Sequence, residues 1–244
     1  MPPKRSQTQE LLNAIFDDLD QPIARQVAGW LAESSRFREF ALRYQQKMRR
    51  KVRLSQDDET RRDLICEFAI AYHLLQERRF AVVYEAGGTG KQREPDFTVS
   101  EGANIHFGVE VRRMRGAPPP QPDLASQDRQ RRLLNIICDK LTQMPNSGSN
   151  VLVIVQDEHG VDEANILAST RELKRHAEQK DEAFFQQRKL GSTREFFTYW
   201  PRLSAILMLS SPLAVPQGII WLNKETRHPL PSSTLAALTR LFNL

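Results

Sequence analysis

Two carboxylates stand close together in the stretch EPDFTVSEGANIHFGVEVRRM (94–114): Asp96 follows a proline, and Glu110 sits between two valines. Both fall in runs that read as strands. Like charges on neighbouring strands repel and need a compensating partner. A hard divalent cation is one such partner, because Mg2+ takes oxygen ligands from one or two carboxylates and keeps several waters. The competing reading is a pair of ordinary surface residues on a hairpin. A third acid, Glu67, lies inside the apolar run LICEFAIAYHLL (64–75). Burying it ionised is costly unless it is paired or bound to a cation, and a salt bridge to an arginine would also satisfy it. Asp63 falls one turn earlier on the same helix face.

The elements that must position these acids follow from hydrophobic periodicity. Residues 59–79 read as a helix that is apolar almost all round and therefore buried on most sides. FAVVYE (80–85), PDFTVS (95–100) and IHFGVEVRRM (105–114) read as three consecutive strands, the last two joined as a hairpin at EGAN (101–104). In the third strand Ile105, Phe107, Val109 and Val111 share one face, and His106, Gly108, Glu110 and Arg112 share the other. In the second, Phe97 and Val99 oppose Asp96 and Thr98. A turn centred near Gly102 sets Asp96 across from Gly108, with Glu110 as its diagonal neighbour about 7–8 Å away at the backbone. Gly108 then leaves room for a hydrated cation. The segment AGGTGK (86–91) reads as a hairpin turn, since a phosphate-binding loop needs a Ser or Thr after the lysine and a following helix.

Beyond the hairpin, the stiff connector APPPQP (117–122) leads to a helix over 123–144 and then to NVLVIVQ (150–156), a strand covered on both faces. A polar helix (162–180) and the irregular segment FFQQRKLGSTREFFTYW (184–200) precede two strands, SAILML (204–209) and GIIWLN (218–223), and a capped terminal helix. Ahead of all this, helices are expected over 8–18 and 22–50. Residues 1–55 form a helical appendage on this reading, and 56–244 the main domain. The order helix–strand–strand–strand–helix–strand predicts an α/β sandwich around a mixed sheet.

Glu67 before the sheet, Pro95-Asp96, and the acid–x–basic triplet Glu110-Val111-Arg112 together resemble the PD-(D/E)XK nuclease superfamily, the fold of many restriction and repair endonucleases. The resemblance covers roughly residues 60–156 and implies a restriction-endonuclease-like α-β-β-β-α-β core, with the C-terminal strands and helix as an extension. It implies that Asp96 and Glu110 bind Mg2+ or Mn2+, that Val111 adds its backbone carbonyl, and that Glu67 assists the metal or its water. The metal would activate water for phosphodiester hydrolysis, on DNA rather than RNA. One position departs from the family: Arg112 stands where a lysine is usual. Arginine stays protonated and cannot act as a base, although it can clamp a phosphate bidentately. Lys140, on the following helix, is the other source of an amine. The alternative is a catalytically degenerate relative that binds nucleic acid or a partner protein.

The net charge is +5, from 35 basic and 30 acidic residues, and the excess concentrates in KMRRKVR (47–53), RRMR (112–115) and RQRR (129–132). Arg113, Arg115, Arg129 and Arg132 are candidate phosphate contacts, with solvated helix faces as the plainer reading. The N-terminal helices would grip the backbone, or support a homodimer or a partner protein. No apolar run is long enough to span a membrane and no apolar leader follows Met1, so a soluble, cytoplasmic protein is expected. Cys66 and Cys138, far apart in apolar helical patterns, read as buried thiols rather than as a disulfide or a zinc site.

Overall fold

Every residue of SNVLVIVQ (149–156) is buried, because helices cover both faces of the sheet at this strand. In the computed structural model, residues 5–85, 94–103, 105–116, 122–156, 163–213 and 216–244 are described. Five helices come first: α1 (Arg5–Ile15), α2 (Pro22–Glu33), α3 (Ser35–Arg43), α4 (Gln45–Leu54) and α5 (Asp58–Leu74). Strands β1 (Phe80–Tyr84), β2 (Phe97–Glu101) and β3 (Ile105–Met114) follow, then α6 (Pro122–Leu141) and β4 (Ser149–Gln156). The chain continues through α7 (Glu163–Glu178), α8 (Glu182–Gln186), α9 (Thr193–Tyr199), β5 (Ala205–Leu209), β6 (Gly218–Leu222) and α10 (Ser232–Phe242).

The six strands form one mixed sheet in the order β1-β2-β3-β4-β5-β6. β1, β2 and β3 are antiparallel neighbours, β3–β4 and β4–β5 are parallel, and β5–β6 is antiparallel. The expected α/β class with a mixed sheet is what the chain adopts. One face packs against α1–α5 and α10 through Phe37, Phe40, Phe68, Phe97, Val109 and Phe242. The other packs against α6–α9 through Leu134, Ile137, Leu152, Ile154 and Trp200. Residues 1–55, set apart as an appendage on sequence grounds, therefore share one apolar core with the sheet. Cys66 and Cys138 are buried on opposite sides of the sheet, outside any disulfide. Among the described residues no helix is long and apolar enough to cross a membrane.

Two expectations about helices are corrected. The helix expected over 22–50 is three helices. Ser34 leaves helical geometry (φ −120°, ψ 115°) and its Oγ accepts a hydrogen bond from Phe37 N at 3.2 Å, which starts α3. Tyr44 (φ −108°, ψ 18°) bends the chain again before α4. The segment read as irregular contains α8 and α9, capped by Asp181, which accepts from Phe184 N, and by Ser192, which accepts from Glu195 N. The AGGTGK turn, residues 117–121 of the proline-rich connector and the hairpin residue Asn104 lie outside the described residues.

Two basic side chains tie the N-terminal helices to β1. Arg36 donates to the backbone carbonyls of Leu75, Glu77 and Phe80. Lys47 donates to those of Tyr84 at 2.8 Å and Glu85 at 2.7 Å. Since Phe40 sits in this shared core at 4% exposure, Phe40→Ala should cost about 3–5 kcal/mol. The loss should appear as a shift of one unfolding transition seen alike by far-ultraviolet circular dichroism and by tryptophan fluorescence. A separate early transition confined to the N-terminal helices would show that they fold as an independent unit.

Candidate metal centre

The site is built around Asp96, and its neighbours fix where that residue stands. Pro95 is buried against Gly108: a Cβ added at Gly108 would lie 3.2 Å from Pro95 Cγ and 2.9 Å from Asn150 Oδ1. The space at Gly108 is thus filled by Pro95 and Asn150, not left to a hydrated cation. Asn150 is itself held by Nδ2 donating to the carbonyls of Pro145 (3.1 Å) and Arg202 (2.9 Å).

The hairpin pairs Glu101 with Ile105, Thr98 with Gly108 and Phe97 with Val109. Continued by one residue, this register sets Asp96 opposite Glu110 rather than opposite Gly108. The expected register was off by two residues because Glu101 pairs with Ile105, which centres the turn one residue beyond Gly102 (φ 67°). A two-residue slip leaves every side chain within a strand on its face, but β2 begins at Phe97 and Asp96 lies in the bend before it, so its carboxylate meets Glu67 of α5 whereas that of Glu110 meets Lys140 of α6. Asp96 Oδ2 accepts from the backbone N of Val111 at 2.8 Å. In a strand the N–H and C=O of one residue point to the same side, so the Val111 carbonyl also looks toward Asp96.

Glu67 comes from α5 and Glu85 from the residue after β1. Glu67, Glu85 and Asp96 can each offer an oxygen such that all three lie within 4.8 Å of one another. Glu85 was not singled out on sequence; it adopts a left-handed conformation (φ 39°), and its N donates to Asp96 O at 2.9 Å. Lys51 of α4 reaches into the trio, with Nζ 2.5 Å from Glu67 Oε1 and 2.6 Å from Glu85 Oε1. That ammonium also lies 4.8 Å from the centre of the Tyr84 ring. Lys47 stands 3.6 Å from Glu85 Oε2. Glu110 lies outside the trio, buried beside Asp96, and its carboxylate is held by Lys140 of α6, which also donates to Gln143 Oε1.

Burial sets the electrostatics. It raises the Glu67 carboxyl to about 7, with further push from the Asp96 charge and opposition from Lys51. Asp96 is raised by burial against the pull of the Val111 N–H. Glu110 is raised by burial and then by Asp96, against Lys140. Glu85 goes the other way: burial works upward, but Lys51, with help from Lys47, holds it below the usual range. Burial would lower Lys51, yet Glu67 and Glu85 keep it raised. The donor set is all oxygen and suits a hard cation rather than zinc.

The predicted arginines separate from this cluster. Arg112 is exposed and, among the described residues, forms no ion pair; it lines a distinct cavity with Arg188 and Lys189. Arg113, expected on the surface, is buried with its side chain 1% exposed, pairing with Glu59 and with Asp63 at 2.9 Å. It fastens β3 to α5 and is not available to a phosphate. Arg115 pairs with Asp63, and Arg132 pairs with Asp128 and donates to the Arg115 carbonyl. Arg129 is half-buried. In KMRRKVR, Arg49 and Arg53 pair with Asp17, so part of this segment's charge is met within the chain, at the surface.

Comparison of the chain with protein-family models, with curated proteins and with solved structures returns no match in any of the three.

Because Glu67 titrates near 7 folded but near 4.5 unfolded, the folded state holds more protons between those values. Its contribution to stability is therefore present at low pH and is lost as pH rises from about 4.5 to 7. In EDTA, wild-type Tm should fall relative to Glu67→Gln across that window. Equal pH slopes for the two proteins would show that Glu67 is not the strained acid.

Proposed function

We propose that the protein is a metal-dependent phosphodiesterase of the PD-(D/E)XK type, acting on nucleic acid and on DNA rather than RNA. The observation that carries this reading is the meeting of Glu67, Glu85 and Asp96 within 4.8 Å, beside a fourth buried acid, Glu110. The succession α5-β1-β2-β3-α6-β4, with three antiparallel strands and then a parallel one, supports the restriction-endonuclease-like topology. The buried thiols fit a cytoplasmic setting.

Asp96 is common to both ligand sets: the trio with Glu67 and Glu85, and the strand pair with Glu110 and the Val111 carbonyl. Mg2+ or Mn2+ bound there would supply a Lewis acid and an activated water. The chain's own residues do the rest. Val111 N–H holds one Asp96 oxygen and so orients the other. Lys51, on its flexible stem, neutralises Glu67 and Glu85 and would have to leave them for a cation to bind there. Lys140 places an ammonium at Glu110, the role that Arg112 cannot fill from its separate cavity.

A second reading is favoured by Lys51 itself. Its bridge to two of the three acids neutralises the cluster without a metal, as suits a degenerate relative that only binds.

The test is cleavage of single- and double-stranded DNA and RNA with Mg2+, with Mn2+ and with EDTA. Asp96→Asn should lower cleavage by more than about 100-fold, as expected for loss of a ligand rather than of its support. Glu85→Gln with a large loss assigns the trio, and Glu110→Gln with a large loss assigns the strand pair. Lys140→Ala should lower turnover with metal binding retained. Binding without cleavage by the wild type under every condition would select the second reading.

A further inference from the structure

Arg112, Arg188 and Lys189 line one cavity of about 310 Å3, together with the amides of Asn135 and Gln187 and the carboxylate of Asp139. Three cations and one carboxylate leave a charge of +2 in the lining. Most other arginines near the sheet are consumed: Arg113, Arg115 and Arg132 all have acidic partners. Among the described residues Arg112, Arg188 and Lys189 have no ion pair. Gathering three cations about a single carboxylate is unfavourable unless a further anion joins them.

The positions are built rather than incidental. Arg188 is anchored: its Nη1 donates to Phe184 O at 2.8 Å and its guanidinium lies 3.7 Å from the Phe184 ring centre. Its Nε is buried and has no hydrogen-bond partner among the described residues. The chain reverses beside it, with Lys189 in the left-handed region (φ 62°) and Leu190 N bonded to Phe185 O at 3.1 Å. This turn, beyond the end of α8, carries Arg188 and Lys189 to the cavity across from α6 and β3. Two guanidinium groups and two amides are the donors that phosphate oxygens accept from.

We infer that this cavity seats a phosphate group of a nucleic-acid strand, next to the phosphate that would lie at the carboxylate cluster. Arg112 and Glu110 leave the same face of β3 two residues apart, about 7 Å, close to the separation of neighbouring phosphates along a strand. Arg112 thereby gains a use that does not require it to replace a lysine. The identity of the strand as substrate rests on the nuclease reading; the phosphate seat does not.

The experiment measures binding of a fluorescein-labelled single-stranded DNA to the full chain in EDTA, as a function of salt. Arg112→Gln and Lys189→Asn are the variants, asparagine being tolerant of a left-handed backbone. Arg62→Gln, on the exposed face of α5 with a side chain 64% exposed, is the control. The double variant should bind at least about tenfold more weakly and lose about 0.7 of salt slope per contact removed. Arg112→Lys should keep the slope and lose part of the affinity. Wild-type affinity and slope in the double variant would overturn the proposal. Inorganic phosphate and a mononucleotide are titrated in parallel. If they bind in an Arg112-dependent way while strand affinity is untouched, the seat takes a free phosphate and the strand assignment fails. Lost strand binding in the double variant with no cleavage by the wild type sinks the nuclease reading and leaves the seat. Cleavage with unaltered binding sinks the seat alone.

Discussion

Three glutamates packed about one aspartate cannot all stay charged with it unless cations accompany them, and the helices on both faces of the sheet answer that constraint. A pair of like charges 4 Å apart costs about 4 kcal/mol at an effective dielectric of 20, against about 1 kcal/mol gained from an ordinary hydrogen bond. Hydrogen bonds alone do not offset this. Lys51 arrives from α4 on one side and Lys140 from α6 on the other. Glu67 shares its ammonium with Glu85, and burial, with the Asp96 charge, holds its carboxyl up at about 7 against that ammonium. The geometry is that of a carboxylate cluster whose charge is met by side-chain ammonium groups.

Charge elsewhere is spent on joining elements. Arg113 is held between Glu59 and Asp63 with almost no exposure, so it behaves as a staple between β3 and α5. Removing Asp63 would leave this buried guanidinium dependent on the half-exposed Glu59. The +5 excess of the sequence therefore says little about how much positive surface remains. The cavity beside Arg112 is informative for the opposite reason: its cations are not matched by acids.

The legible parts of the fold were those with a strong period. The alternation of 97 and 99 with 105, 107, 109 and 111 marked the hairpin and the apolar face that packs into the core. The same alternation could not reveal the register, because slips of two residues look identical to it. Ser34 and the capping-box spacing Ser192–Glu195 are helix-start signals present in the sequence, but the longer apolar periods on either side of them mask the breaks. Lys51 and Glu85 had no local signal at all. A lysine in a basic helix and an acid at a strand's end look like surface residues until tertiary packing brings them together.

The tie between the N-terminal helices and β1 has a consequence for the outer margin of the sheet. β1 is an edge strand, and an edge normally offers a row of unpaired carbonyls and N–H groups to any passing chain. Glu85 N turns toward β2 to reach Asp96, so the backbone carbonyls of Phe80, Val82 and Tyr84 point away from β2. Arg36 takes the carbonyl of Phe80 and Lys47 that of Tyr84. Two of three outward acceptors are already occupied, each by a side chain carrying full charge. A second strand cannot add there without displacing both, and the flank nearest the carboxylates is thereby closed to edge-to-edge aggregation.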